Sequence, residues 1–215
     1  MTSTRPQHEH RAPVAVAVLV NLALSLFLPS EVLFFPSWVV PAIGLSLLIP
    51  LVVFNPRRLT RETTWSRWLS FALAILLTVA NQLTVVRTID QLLHGHPDGG
   101  AVLLTALQVW VSSIIAFGLV YWELDRGGPV ARRRPDLFAR DEADFQFPQE
   151  TDPATAAWRP VYLDYLYVAL TNMMAFSPTD TMPMTVRAKM IMAYQSIGGF
   201  ILLALVISRA VNIIS

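Results

Sequence analysis

The sequence predicts an all-α polytopic membrane bundle of six transmembrane helices. Of its 215 residues, 54% are hydrophobic and only 14% are charged, whereas soluble domains carry about 25% charged residues. The apolar residues also form long runs, which are typical of helices that cross a bilayer. The six runs cover residues 12–28, 38–54, 68–86, 101–122, 161–176 and 191–214.

The uneven distribution of basic residues predicts the orientation. If the N-terminus is cytoplasmic and all six runs cross, twelve arginines fall inside, while Arg87, Arg187 and Lys189 fall outside. Arg209, near the end of the sixth run, would reach back to the inner face. Because connections rich in Arg and Lys stay in the cytoplasm, both termini are expected there.

One long hydrophilic stretch divides the chain into three parts. Residues 1–122 hold four predicted helices, residues 123–160 form a cytoplasmic juxtamembrane loop, and residues 161–215 form a C-terminal helical hairpin. Five prolines in the loop argue against a long helix. Its arginines, Arg132, Arg133 and Arg134, are interpreted as contacts to anionic lipid headgroups. The alternative is that this loop docks a partner protein.

Several function classes find no support in the sequence. There is no cysteine, and a net charge of +1 gives no electrostatic argument for binding nucleic acid. No nucleophile elbow, phosphate-binding glycine loop or His-Glu-x-x-His motif occurs, so enzymatic activity is not expected. The close histidine pairs, His8 with His10 and His94 with His96, lack further ligands. We therefore predict no cofactor and no metal site.

The last hairpin carries the polar residues best placed for an ion pathway. Polar side chains within a membrane are costly and usually face other helices or a cavity. Hydroxyl and carboxylate groups are concentrated around Asp180, and oxygen ligands suit hard cations. One Asp180 per subunit around an axis would form an acidic ring; the alternative is an Asx turn. The candidates are Asp164, Thr171, Asn172, Ser177, Thr179, Asp180, Thr181 and Gln195.

Three of these candidates also have a structural interpretation. Asp164 lies near the start of the fifth apolar run, where an acid is stabilised by the helix dipole and could pair with Arg159. Asn172 and Gln195 could hydrogen-bond between the last two helices, as polar side chains commonly do in membranes.

The stretch "YLDYLYVALTNMMAFSPTDT", followed by Arg187 and a long apolar helix, resembles the pore helix, filter and inner helix of the tetrameric cation channels. A potassium filter needs glycines that expose inward-facing carbonyls, and residues 171–180 contain no glycine. Potassium selectivity is therefore not expected. In such a pore the helix before the filter re-enters from outside, whereas the arginine distribution favours a full crossing by residues 161–176.

The last hundred residues are also similar to an uncharacterised family of bacterial six-helix integral membrane proteins. The matching stretches are "YWELDRGGP", "FQFPQE", "YLDYLYVAL" and "SPTDT", followed by Arg187. This resemblance implies a multi-pass protein of the bacterial inner membrane and implies no activity.

Two functional hypotheses follow. In the first, the chain is an oligomeric ion channel or small-ion pathway built from the C-terminal hairpin. In the second, it is a non-conducting accessory or scaffold subunit that binds a larger membrane complex through residues 123–160. The expected partners are the lipid bilayer and either further copies of the chain or that complex.

Overall fold

In a computed structural model, the protein is a helical bundle with a two-stranded sheet at one end. The structure describes residues 9–54, 64–94, 99–133, 143–155, 158–174 and 181–214. Within these ranges the helices are α1 (Ala12–Leu26), α2 (Val39–Phe54), α3 (Thr64–His94), α4 (Gly99–Leu124), α5 (Tyr162–Met173) and α6 (Val186–Ile214), and the strands are β1 (Phe145–Gln146) and β2 (Met182–Pro183).

Within the described ranges, three helices are long and apolar enough to cross a membrane, which supports the predicted class of helical membrane protein. The apolar spans are Trp65–His94 in α3, Gly100–Gly127 at α4 and Val186–Val211 in α6. The helices α1 and α2 are apolar but have only 15 and 16 residues. At about 1.5 Å per residue they are shorter than a hydrocarbon core of about 30 Å.

Helix α4 forms the centre of the bundle and α6 lies at its periphery. The helices α1, α3, α5 and α6 all pack against α4. In the most apolar window of α4, 67% of the residues are buried, but only 22% are buried in that of α6. The apolar face of α6 is therefore largely left for lipid or for another protein chain.

Side-chain contacts define the two ends of the bundle. At one end, called the anchored end, Glu9 before α1 bonds to Trp122 near the end of α4 and to Tyr162 at the start of α5. At the opposite end, the Arg87 guanidinium lies 4.2 Å from the centre of the Phe34 ring, in the connection between α1 and α2.

The two strands show that the chain returns to the anchored end after α5. Strand β1 precedes α5 and β2 follows it, yet they pair antiparallel, with Phe145 opposite Pro183. Helix α5 has only 12 residues, about 18 Å, and near its end Asn172 bonds to Met192 in α6. This pairing does not support the prediction that residues 161–176 cross the bilayer, and the six-crossing path stays a prediction.

A close approach of α5 and α6 at Gly199 allows a matched test of this packing. A Cβ atom built at Gly199 would lie 2.8 Å from the backbone oxygen of Met173, whereas one at Gly198 meets nothing within 4 Å. We expect Gly199→Ala to destabilise the protein by about 1–3 kcal/mol through overpacking. Gly198→Ala should be neutral or stabilising by up to about 1 kcal/mol, because alanine favours helix.

Thermal unfolding of both variants in the same detergent measures the difference. Equal midpoints for Gly198→Ala and Gly199→Ala would contradict the close packing of α5 on α6.

Candidate functional site

Two carboxylates hold the N-terminus of α5 at the anchored end. The Asp164 carboxylate accepts a hydrogen bond of 2.7 Å from the Val161 backbone N–H, and Glu9 accepts one of 2.7 Å from the Tyr162 N–H. Both acids satisfy backbone donors that have no partner within the helix, and both favour the positive end of its dipole. Asp164 thus caps its own helix in this structure.

Near its other end, α5 is tied to α4 and α6 by a buried polar network. The Asn172 side-chain amide donates to Met192 O (2.9 Å) and to Gln195 Oε1 (2.8 Å). Gln195 Nε2 donates to Ala169 O (2.9 Å), and its Oε1 also accepts from the Tyr121 hydroxyl (2.5 Å). The predicted interhelical hydrogen bonds of Asn172 and Gln195 are therefore confirmed.

The buried Asp144 carboxylate fastens the segment in which the chain returns. The backbone oxygen of Asp144 accepts a hydrogen bond of 2.8 Å from the Met184 N–H. Its side chain accepts from the Thr185 hydroxyl (2.5 Å) and from Arg187 Nε (2.7 Å) and Nη2 (2.6 Å). The connection before α5 is thereby joined directly to the first turn of α6.

Asp125, just after α4, links that connection to α4 and α5. It is fully buried. Its Oδ1 accepts from the backbone N–H groups of Asp144 (2.8 Å) and Phe145 (3.3 Å), and its Oδ2 accepts from the Tyr165 hydroxyl (2.5 Å). One carboxylate therefore satisfies three donors from two separate segments, and a buried carboxylate is stable only with such partners.

The sequence "DRGGP" makes the sharp turn after α4. Arg126, Gly127 and Gly128 have φ angles of 52°, 71° and 101°, which lie in the left-handed region that glycine adopts without penalty. For Arg126 this conformation is strained. A two-pronged ion pair with Glu150, at 2.5 and 2.7 Å, fixes the Arg126 side chain there.

Two further arginines fill the space beneath this turn. Arg132 Nη1 donates to Trp122 O at 2.7 Å, and its guanidinium lies 4.8 Å from the Tyr165 ring centre. Arg133 lies 3.6 Å from Glu9 Oε2. Burial lowers the pKa of Arg133, and Glu9 acts in the opposite direction. Arginine nevertheless keeps its charge, because the guanidinium is not deprotonated in proteins.

Together these groups form what we call the anchoring cluster. Its four acids and four arginines balance in formal charge, as buried charges require. Its members are Glu9, Asp125, Arg126, Arg132, Arg133, Asp144, Glu150 and Arg187.

The cluster corrects the predicted lipid contacts. Arg132 is fully buried and is therefore not a headgroup contact. The Arg133 side chain is only 10% exposed and faces Glu9. Arg134 lies outside the described residues. The sequence shows only that this connection is rich in arginine. It does not show that folding brings acids close to Arg132 and Arg133, so that both side chains can be buried.

The remaining candidates fall into two groups. The Thr171 hydroxyl donates to Tyr167 O (3.0 Å) and Val168 O (3.1 Å) of its own helix, and Thr181 is half-buried just before β2. Ser177, Thr179 and Asp180 lie outside the described residues, so their predicted roles stay predictions.

Sequence reasoning missed the acids that build the cluster. Asp125 and Asp144 lie within or beside the quoted stretches "YWELDRGGP" and "FQFPQE", but a hydrophilic connection predicts solvated charges. Acidic residues close to aromatic ones in such a connection were the available signal, because buried acids commonly pair with tyrosine or arginine.

No family model, curated protein or solved structure matches the chain. Within the described ranges, no three His, Cys, Asp or Glu residues group closely enough to hold a metal ion. The most distinctive feature of the C-terminal hairpin is α5, a half-length helix that is fixed at both ends and whose C-terminus lies inside the bundle.

Proposed function

We propose that several copies of this chain assemble around an axis and conduct a cation between their C-terminal hairpins. The observation that carries the proposal is the path of α5, which enters from the anchored end and stops beside Gln195 of α6, before the chain returns to the same end. Half-length helices that end within a membrane are a recurring device for holding ions.

The direction of α5 favours a cation over an anion. A helix carries partial negative charge at its C-terminus, where the last carbonyl groups have no partner within the helix. In α5 this terminus is the end that points into the bundle. Residues 174–181, which carry Asp180, follow directly and add oxygen atoms and one negative charge.

The contacts that hold both ends of α5 in place also support an ion pathway. An ion site needs ligands held in place before the ion arrives, which requires surrounding contacts that restrict the chain. The anchoring cluster fixes the start of α5 and the return segment, and Asn172, Gln195 and Tyr121 fix its end.

The peripheral position of α6 is the reason to invoke several copies. Large apolar side chains of α6, including Tyr194, Ile197 and Val211, are 55–62% exposed. A pathway beside this hairpin is therefore open on one side in a single chain. Other copies around an axis would close it.

The return of α5 agrees with the arginine distribution, but it makes α5 enter from the cytoplasmic side, whereas the pore helix of the tetrameric cation channels enters from outside. If the short helices α1 and α2 cross together with α3, α4 and α6, the connections at the anchored end and the first turn of α6 contain fourteen of the sixteen basic residues; Arg87 and Arg209 are the other two. The excess of basic residues on one side of the membrane is larger for this path than for the path with six crossings. It supports a cytoplasmic anchored end with the N-terminus, and a C-terminus on the other side of a bacterial inner membrane.

The accessory-subunit hypothesis receives less support from the structure. It requires residues 123–160 to be available to a partner; Asp125, Arg132 and Asp144 in that connection are fully buried, which leaves the exposed residues 148–149 and 151–154 as the described surface for docking.

A flux assay with purified protein in liposomes tests the proposal. We expect cation flux from the wild type and a decrease of about tenfold or more in Asp180→Ala, because an acidic pore mouth concentrates cations by about that factor. Asp90→Ala, which removes an exposed acid of α3, is the matched control and should conduct normally. A monomer without flux that co-purifies with a stoichiometric partner would contradict the proposal and favour the accessory role.

A further inference from the structure

A cavity of about 290 Å³ lies among α1, α2, α3 and α4, away from the C-terminal hairpin. None of the described residues that line it is charged, and most are aliphatic or aromatic. Ile43 of α2 and Val79 of α3 line the cavity and are exposed, so the cavity is open on the side that faces lipid. Such a lining excludes ions and suits hydrocarbon.

The cavity has the depth of one leaflet of a bilayer. On α3 its lining extends from Leu76 to Thr84, and Phe34 lines it at the opposite end of the bundle. From Leu76 to Arg87, at that end of α3, the chain rises by eleven residues, or about 16 Å. Half of a hydrocarbon core of about 30 Å has nearly the same length. The exposed Trp38 before α2 is typical of the membrane–water interface, so this end of the cavity lies near the headgroups.

Arg87 places a positive charge at the outer end of the cavity. Leu76, Ala80 and Leu83 line the cavity at spacings of four and three residues, and Arg87 follows four residues later on the same face of α3. Its guanidinium lies 4.2 Å from the centre of the Phe34 ring, which lines the cavity from the other side. The guanidinium therefore lies where the apolar slot meets the interface.

The charge of Arg87 is available to a ligand. The residue is exposed, and no ion pair or hydrogen bond joins its side chain to any residue that the structure describes. The next acid along α3, Asp90, contacts His94 instead, at 3.2 Å. A guanidinium presents five N–H donors and binds a phosphate group through two parallel hydrogen bonds.

We propose that the cavity holds one acyl chain of a phospholipid with a net negative charge, and that the phosphate of this lipid binds Arg87. An apolar cavity of about 150 Å³ accommodates benzene, so this one accommodates about twelve carbon atoms, which is much of one acyl chain. An anionic lipid is favoured over a zwitterionic one, because the ammonium group of a zwitterionic headgroup offsets the attraction of its phosphate to Arg87.

Lipid binding to the purified, delipidated protein in mild detergent tests this proposal. Phosphatidylglycerol and phosphatidylcholine with identical acyl chains are titrated separately, and native mass spectrometry counts the lipids bound to each chain. We expect one tight site per chain. It should bind phosphatidylglycerol about fivefold more tightly than phosphatidylcholine, which is the preference expected from one basic residue near an anionic surface.

Three variants separate the headgroup contact from the slot for the acyl chain. Arg87→Gln should remove the preference and leave the affinity for phosphatidylcholine unchanged, because the apolar slot remains. Lys189→Gln removes an exposed cation at the anchored end; it is the matched control and should keep the preference. Ala80→Leu, which adds bulk to the lining, should weaken the binding of both lipids.

The ratio of the two affinities distinguishes a binding role of Arg87 from a structural one. A structural role would lower the affinity for both lipids alike, together with the unfolding temperature measured without phospholipid, and would overturn the proposal. Equal affinities in the wild type, or a preference that persists in Arg87→Gln, would also overturn it. So would the absence of bound lipid, or unchanged binding to an Ala80→Leu protein that unfolds at the wild-type temperature.

Discussion

Replacing Asp125 with alanine is expected to destabilise the protein by about 3–5 kcal/mol, the range found when one member of a buried charged network is removed. The variant leaves the backbone N–H groups of Asp144 and Phe145 and the hydroxyl of Tyr165 without their acceptor. It also leaves the nearby arginines without a balancing charge. Each buried donor that loses its partner costs about 1–3 kcal/mol. Thermal unfolding in detergent measures the effect.

Three further variants show whether this loss arises from the proposed contacts. Asp125→Asn keeps the shape of the side chain and one acceptor oxygen. Its stability is expected to lie between that of the wild type and that of Asp125→Ala. Asp90→Ala removes an exposed acid at the far end of α3 and should change stability little. Tyr165→Phe removes the hydroxyl that donates to Asp125. The double variant Asp125→Ala with Tyr165→Phe should therefore lose less stability than the sum of the losses in the two single variants. Strict additivity would contradict a direct Asp125–Tyr165 interaction.

Gln195→Leu is expected to destabilise the protein by about 2 kcal/mol, because three buried hydrogen bonds are lost at once and each is worth under about 1 kcal/mol in membrane helices. The substitution removes the partner of the Tyr121 hydroxyl and of one Asn172 N–H, and it removes the side-chain donor to the Ala169 carbonyl. Since these groups hold the C-terminal end of α5, flux should also decrease in this variant if α5 forms the ion site.

The neighbouring residue on α6 supplies the matched control. Tyr194 is 55% exposed, and Tyr194→Phe removes a hydroxyl without touching the network. It should unfold at the wild-type temperature. Tyr121→Phe removes one of the three hydrogen bonds. Its unfolding temperature should lie between those of Gln195→Leu and Tyr194→Phe. A Gln195→Leu protein as stable as the wild type would show that the network does not hold α5.

Apolar runs were sufficient to predict the long helices. The predicted runs at 68–86, 101–122 and 191–214 lie within α3, α4 and α6, because a stretch that must satisfy every backbone group inside lipid has few alternatives to a helix. The same reasoning does not determine the path of α5. Hydropathy reports where a segment is stable but not whether it crosses or returns, and the return depends on β1 pairing with β2.

The polar contacts were predictable to different degrees. Asn172 and Gln195 lie within apolar runs, where an amide almost always seeks another helix, so their pairing could be predicted from sequence. Asp125 and Arg132 lie in a hydrophilic connection, where a solvated charge is the usual outcome. Their burial depends on Tyr165 and Phe145, which are adjacent only after folding. No local pattern in the sequence encodes that adjacency.

The return of the chain after α5 is the central claim, and the chain's lack of cysteine allows a direct test. Single cysteines would replace Ala154, before α5, and Met184, after it; both positions are exposed. A third, at the exposed Phe35, marks the opposite end. Intact cells and inside-out vesicles would then be labelled with a membrane-impermeant maleimide.

We predict that Ala154→Cys and Met184→Cys are labelled only in inside-out vesicles, and Phe35→Cys only in intact cells. Labelling of Ala154→Cys and Met184→Cys from opposite faces would show that α5 crosses the membrane, and would contradict the return of the hairpin to the anchored end.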